Sequence, residues 1–181
     1  MKALNNQSKQ MVIKYLLEER VKEKGSAVYL ESANTFEKVT FREVYDMSNR
    51  IGNALINLGL NKGDTVLTML PNSFESVYSW FGCCSLGAIE VPVNIAYKGN
   101  ILEYTINNSE ATVMIIHEDF LSRVLDMSKT LTHLKHLVIL GDTISIDKNL
   151  KSKFQVTTWA SFLATGKTDP IPVEVYYYDI A

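Results

Sequence analysis

Only two cysteines occur in the 181 residues, and they are neighbours, Cys83 and Cys84. Adjacent cysteines cannot staple distant parts of a fold, and on a helix their side chains diverge by about 100°. The expected reading is therefore two small buried thiols in a reducing cytoplasm, set against a redox pair. Long apolar runs are also missing: ATVMII and HLVIL are the length of buried strands, far short of the ~18 residues of a membrane span. The opening MKALNNQSKQ lacks the apolar segment of a secretory signal, so export is not expected. A net charge of −2 leaves no electrostatic footprint for nucleic acid or an anionic membrane.

The phosphate-gripping and nucleophile motifs are absent as well. Gly82 and Gly87 have the G-x-x-x-x-G spacing, but Ala88 stands where a phosphate loop needs lysine. No G-x-G-x-x-G and no G-x-S-x-G occurs.

What is present is rhythm. KQMVIKYLLEERVKEK (9–24) sets Met11 and Tyr15, Val12 and Leu16 at helical spacing beside a charged face and stops at Gly25. AVYLES (27–32) reads as a strand and ANTFEK as a polar turn. Thr40 and Glu43 form a capping-box pattern before a helix with Val44, Ser48, Ile51 and Leu55 on one side. Strands TVLTML (65–70), IEVPV (89–93), TVMII (112–116) and LVIL (137–140) then begin about every 24 residues. Helices are expected between them, opened by Asn72 with Glu75, by Asn100 with Glu103, and by Asp119. Strands separated by helices pair in parallel, which predicts a layered α/β sheet with an αβα arrangement. Pro92 argues for an edge strand. LVIL is expected to close the series; TISIDKNLKSK (143–153) reads as a polar loop, TTWASFLATGK as a short helix, and PVEVYYYDIA as the start of a further strand.

Candidates for chemistry are few. Asn72 and Asn94 follow two successive strands, where ligands of open parallel sheets gather, and both are candidate substrate-contacting residues. Asn also caps turns and helices well, and that reading stands beside the first. His117 ends a strand and is expected to be hydrogen-bonded structurally; His133 and His136, three apart in LTHLKHL, lack the company of a metal site and are expected in a surface turn. Asp119 and Asp142 are not clustered with a lysine. No catalytic or metal-binding residue is assigned.

Taken in order, VTFREV, GDTVLTMLPNS, LGAIEVPVN and NNSEATVMII resemble the amino-terminal region of adenylate-forming (AMP-binding) enzymes, in particular the acid–CoA ligases. WFGCCSLGAIEVPVN is most similar to the crotonobetaine/carnitine–CoA ligase branch. The resemblance implies part of the large amino-terminal domain of that family. Residues 1–62 would be helices and a strand that pack with a second sheet, 63–142 a βαβ parallel core, and 143–181 a loop, a short helix and the start of a strand leading to a phosphate loop. It further implies a longer parent that converts a carboxylic acid, ATP and CoA to acyl-CoA, AMP and pyrophosphate through an acyl adenylate, with Mg²⁺. These residues alone are then expected to hold no cofactor, to be inactive, and to self-associate through exposed apolar surface. The rival readings are the adenylation domain of a peptide synthetase or an aryl-acid activating relative, and a non-enzymatic α/β binding or oligomerisation module.

Overall fold

The computed structural model describes residues 12–141 and 152–179, which fall into two compact units. The first comprises 1–63, 73–89 and 165–181; the second comprises 64–72 and 90–164.

The first unit opens with helix α1 (Ile13–Lys24), which buries Lys14, Leu17 and Val21. The expected stripe through Leu16 is wrong, since Leu16 is 40% exposed. Strands β1 (Val28–Glu31) and β2 (Lys38–Thr40) pair antiparallel. The sequence reading took 33–38 for a turn and missed β2, which is only three residues long. Helix α2 (Phe41–Asn57) starts as its capping box requires: the Glu43 N–H donates to Thr40 Oγ1 at 3.2 Å, and the Thr40 N–H donates to Glu43 Oε2 at 2.7 Å. Its buried side carries Val44, Ser48, Ile51 and Leu55, as the spacing predicts.

Helix α3 (Phe74–Leu86) follows, capped by Ser73 rather than Asn72. The Ser76 N–H donates to Ser73 Oγ, and the Ser73 N–H donates to Ser76 Oγ, both at 3.3 Å. A serine three residues into the helix replaces the expected Glu75 as the reciprocal partner, which shifts the start by one residue. The helix ends at Gly87, whose φ of 75° lies in the left-handed region that glycine enters cheaply. Cys83 and Cys84 are both buried and outside any disulfide.

The second unit is built on a five-stranded sheet. Its strands are β3 (Thr65–Met69), β4 (Ile89–Pro92), β5 (Val113–His117), β6 (His136–Leu140) and β7 (Gln155–Thr158), in the order β4-β3-β5-β6-β7. β3 pairs parallel with β5, β5 with β6, and β6 with β7. β4 lies at the edge, where Pro92 costs no ladder bond. LVIL does not close the series: β7 adds a strand beyond it, and its QVTT carries too little apolar character to announce itself.

Leu67, Met69, Met114, Ile116, Leu137 and Ile139 form one core with Leu102 and Ile106 of helix α4 (Gly99–Asn108) and Val124 of helix α5 (Leu121–Asp126). The alternate residues Val66, Ile115 and Val138 are equally buried, so these strands are buried on both faces. At ~25 cal/mol per Å² of apolar surface, each such Leu or Ile contributes roughly 1.5–3 kcal/mol.

Helix α4 begins after Lys98 with no side-chain cap, so Asn100 lies within its first turn instead of ahead of it. A short 3₁₀ turn (Glu118–Phe120) precedes α5, and the cap is His117, whose Nδ1 accepts the Asp119 N–H at 3.3 Å. The last helix, α6 (Trp159–Thr165), lies where TTWASFLATGK predicts it.

The expected strand at 172–181 does not form among the described residues: 171–176 have no regular structure and Tyr177–Tyr178 are a turn. Local bonds stand in place of a ladder. Val173 N–H donates to Ile171 O at 2.8 Å, Asp179 N–H to Tyr176 O at 3.0 Å, and Tyr176 N–H to Asp179 Oδ2 at 2.6 Å. The polar stretch at 142–151 and residues 180–181 lie outside the described residues.

Candidate functional site

The carboxyl ends of the parallel strands are where the two asparagines fall. β3 and β4 are neighbours in the sheet, and Asn72 and Asn94 lie just beyond them, both exposed. Asn94 Oδ1 accepts the Ala96 N–H at 2.9 Å, which folds the chain after β4 into a tight local turn. Asn72 immediately precedes the capping serine of α3.

The loop after β4 has a second support that sequence reasoning missed. Arg123 of α5 donates to the carbonyls of Ile95 and Tyr97 while its guanidinium lies 5.0 Å from the Phe120 ring centre. An isolated arginine on a short helix carries no motif; its role appears only when the loop comes within reach. At the end of β6, the Glu118 side chain crosses so close to Gly141 that a Cβ there would meet Glu118 Cδ at 2.2 Å.

Two of the three histidines serve the fold. His117 is spent as a cap, and His136 sits in β6, not in a surface turn, with Nε2 2.7 Å from Thr157 Oγ1 on the adjacent strand. Burial holds the His136 imidazole below its usual pKa. His133 is exposed. In the same sheet the Thr68 hydroxyl donates to Glu90 Oε1 at 2.6 Å, and burial pushes the Glu90 carboxyl above the ordinary carboxylate range despite that bond. No group of three or more His, Cys, Asp or Glu able to hold a metal exists among the described residues. No helix among them is long and apolar enough to cross a membrane.

The described donor set therefore does not fit Mg–ATP. Among the described residues the strand ends offer two amides, a histidine committed to a cap and the carboxylates Glu118 and Asp119, with neither a group of three metal-ligating side chains nor a lysine-bearing glycine loop for phosphates.

Comparison with known proteins gives this sheet its context. The family model for the AMP-binding enzyme matches residues 17–174. Among curated proteins, the chain is 34% identical to the acetyl-coenzyme A synthetase of Bacillus subtilis over 125 residues, covering 68% of this chain and 22% of that one. It is 25% identical to the crotonobetaine/carnitine–CoA ligase of Salmonella typhimurium over 126 residues, covering 69% of this chain and 24% of that one. The chain thus spans about a quarter of the curated relatives it matches. Among solved structures, an anthranilate CoA ligase in complex with anthranoyl-AMP superposes with a TM-score of 0.80 at 26% identity, over 94% of this chain and 30% of that one. A long-chain-fatty-acid–CoA ligase from Archaeoglobus fulgidus shares the fold with a TM-score of 0.73 at 19% identity, over 88% of this chain and 31% of that one. With the family match running through both units and the parallel sheet in place, the chain belongs to the AMP-binding enzyme family.

Proposed function

We propose that these residues are the amino-terminal scaffold of an ATP-dependent acid–CoA ligase, in which a carboxylic acid is activated with ATP and Mg²⁺ and passed to the thiol of CoA. The observation that carries this reading is the family match over 17–174, joined to relatives and a structural neighbour that are all acid–thiol ligases by name. A carboxylate and a phosphate repel each other, so the adenylating step needs clustered positive groups and donors at the reacting atoms. The residues described here supply no such cluster, and their contribution is to fix the loops at the carboxyl ends of β3 and β4. There Asn72 and Asn94 stand as candidate substrate contacts, with Arg123 holding the second loop in place. The exposed apolar groups Val28, Phe36 and Trp80 of the first unit support self-association of the chain on its own.

The test is a transplant. Residues 17–174 replace the matching segment of the Bacillus subtilis acetyl-coenzyme A synthetase, and acid-dependent ATP–pyrophosphate exchange is measured. A folded chimera that retains exchange supports the reading, and one that folds yet has lost it overturns it. In parallel, calorimetric titration of the 181-residue chain with Mg–ATP is expected to show no binding. Micromolar affinity would refute the purely supporting role.

A further inference from the structure

Residues 165–175 leave α6, bend at 168–169 and take no regular structure, yet their carbonyls are received one after another. Every second carbonyl from 165 to 173 meets a side-chain donor from far away in sequence. The Asn57 amide of α2 donates to Thr165 O at 2.7 Å. The Asn53 amide, besides bonding Asn49 O of its own helix at 3.0 Å, donates to Lys167 O at 3.0 Å and Asp169 O at 2.9 Å. Lys14 of α1 is 6% exposed, and its ammonium donates to Ile171 O at 2.8 Å and Val173 O at 2.6 Å. Lys62 continues the row at Glu174 O, 2.9 Å away, and the Tyr15 hydroxyl accepts the Val175 N–H at 3.3 Å.

Most side chains of the segment point away from these donors. Lys167, Thr168, Asp169, Pro170, Pro172 and Glu174 are exposed, whereas Ile171 is 2% exposed. Ile171 fills the place that Gly52 of α2 leaves open: a Cβ at Gly52 would meet Ile171 Cδ1 at 2.2 Å. Gly166 is admitted because it has no side chain, since a Cβ there would meet Arg50 O at 2.0 Å. Pro170 and Pro172 flank the isoleucine. A proline lacks an N–H, which costs nothing where the facing groups are donors that read carbonyls. Each proline also fixes its own φ and keeps the residue before it out of the helical region, so less freedom is lost when the segment is captured.

We infer that the face formed by α1 and α2 is a peptide-binding site for a non-helical Pro-Ile-Pro segment, filled in this chain by residues 165–175 as an internal ligand. Bonds to the main chain supply affinity, and the fits at Gly52 and Gly166 supply selectivity. The partner chemistry is a row of backbone carbonyls carrying one isoleucine-sized apolar side chain between two prolines, with a glycine upstream. A second peptide of that chemistry gains the site only when the internal segment has left it. The inference uses contacts within the first unit alone, so it holds whether or not the ligase reading does.

The test is binding in trans. A fluorescein-labelled peptide TGKTDPIPVEV, the sequence of 165–175, is titrated into the 181-residue chain and into its Ile171→Asp variant, and fluorescence anisotropy is followed. Ile171→Asp puts a carboxylate at a buried apolar position and releases the internal segment. It is expected to bind the peptide at least ~tenfold more tightly than the parent, whose site is filled. Alanine in place of the peptide's isoleucine should weaken binding ~tenfold or more, and alanine at the positions of Lys167, Thr168 and Glu174 should change it little. Asn53→Ala added to Ile171→Asp should weaken binding about fivefold. Ile171→Ala, which trims the side chain without burying a charge, decides the matter in the same titration if Ile171→Asp does not fold. Equal binding by the parent and the folded variant, or by the isoleucine and alanine peptides, overturns the proposal, as does binding indifferent to Asn53→Ala.

Discussion

Gly87→Ala separates two contributions that meet at one position. The residue has φ 75° and ψ 22°, and an L side chain there costs roughly 1–2 kcal/mol. The substitution also stiffens the unfolded chain, which returns about 0.4–1 kcal/mol. The backbone effect alone is therefore a net loss of about 1 kcal/mol, or roughly a fivefold fall in the folded-to-unfolded ratio. Added to this is contact: a Cβ at Gly87 would stand 3.0 Å from Lys62 Cγ and 3.3 Å from Val175 Cγ2. Val175 belongs to the irregular segment 171–179 and Lys62 is bonded to it, so the Lys62 stem must give by a few tenths of an ångström while its ammonium holds Glu174 O and Asp179.

Gly59 provides the internal reference. Its φ is 90°, and nothing lies within 4 Å of a Cβ placed there, so Gly59→Ala reports the backbone effect by itself. Urea unfolding of both variants, with the slope m unchanged, gives the two free energies from the shift in midpoint. Gly87→Ala is expected to lose more than Gly59→Ala, by the cost of displacing the Lys62 stem and Val175. A Gly87→Ala protein as stable as the parent would refute the left-handed reading. Equal losses at the two positions would refute the contact argument.

Three further substitutions test the interior bookkeeping. Thr40→Ala removes the oxygen that accepts the Glu43 N–H and should cost about 1 kcal/mol, while Thr40→Ser should cost little; equal losses would show that the methyl group matters and the cap does not. Glu90→Gln should change the pH dependence of stability. The folded Glu90 carboxyl binds its proton more tightly than the unfolded one, so its cost is absent below the ordinary carboxylate pKa. It grows as pH rises toward the raised folded value, and stays constant above it. The parent should lose stability relative to Glu90→Gln across that window, and parallel pH curves would sink the assignment. Ser79→Ala deletes a fully buried hydroxyl that has no hydrogen-bond partner among the described residues; thermal unfolding should show it neutral or stabilising, and a loss beyond about 1 kcal/mol would mean the hydroxyl is bonded.

How much of this was readable beforehand depended on whether the signal was local. TVMII and LVIL are apolar on consecutive residues because both of their faces are buried, and that pattern survives in one dimension. Pro92 announced an edge because a missing N–H is tolerated only there, and Gly87 announced a turn because φ 75° suits little else. The Thr40–Glu43 box was legible because both partners lie within one turn. The starts of α3 and α4 were not: Asn72 and Ser73 are adjacent residues with similar capping chemistry, and α4 starts after Lys98 without any side-chain cap for a sequence pattern to record. β7 escaped because QVTT becomes a strand through the carbonyls and amides of β6, which no side-chain pattern records. At the strand ends, the positions of Asn72 and Asn94 followed from counting strands, whereas Arg123 took its place from a loop 26 to 28 residues away.

The irregular segment 171–179 is the extreme case, and it shows why a strand pattern failed at 172–179. Alternating Val173, Val175 and Tyr177 satisfy the side-chain rule for a strand, yet a strand also needs a neighbour with free backbone groups. No described strand pairs with this segment, and its carbonyls turn instead to Lys14 and Lys62, 157 to 159 and 112 residues away. Lys14 read as part of a charged helix face because lysine is seldom buried; here burial is tolerated since two carbonyls without ladder partners meet its ammonium. The Val173 carbonyl and the buried cation explain each other, so replacing Lys14 with an apolar residue of similar length should strand that carbonyl, Ile171 O keeping the Val173 N–H, and urea unfolding should show a loss of stability rather than relief of a misplaced charge.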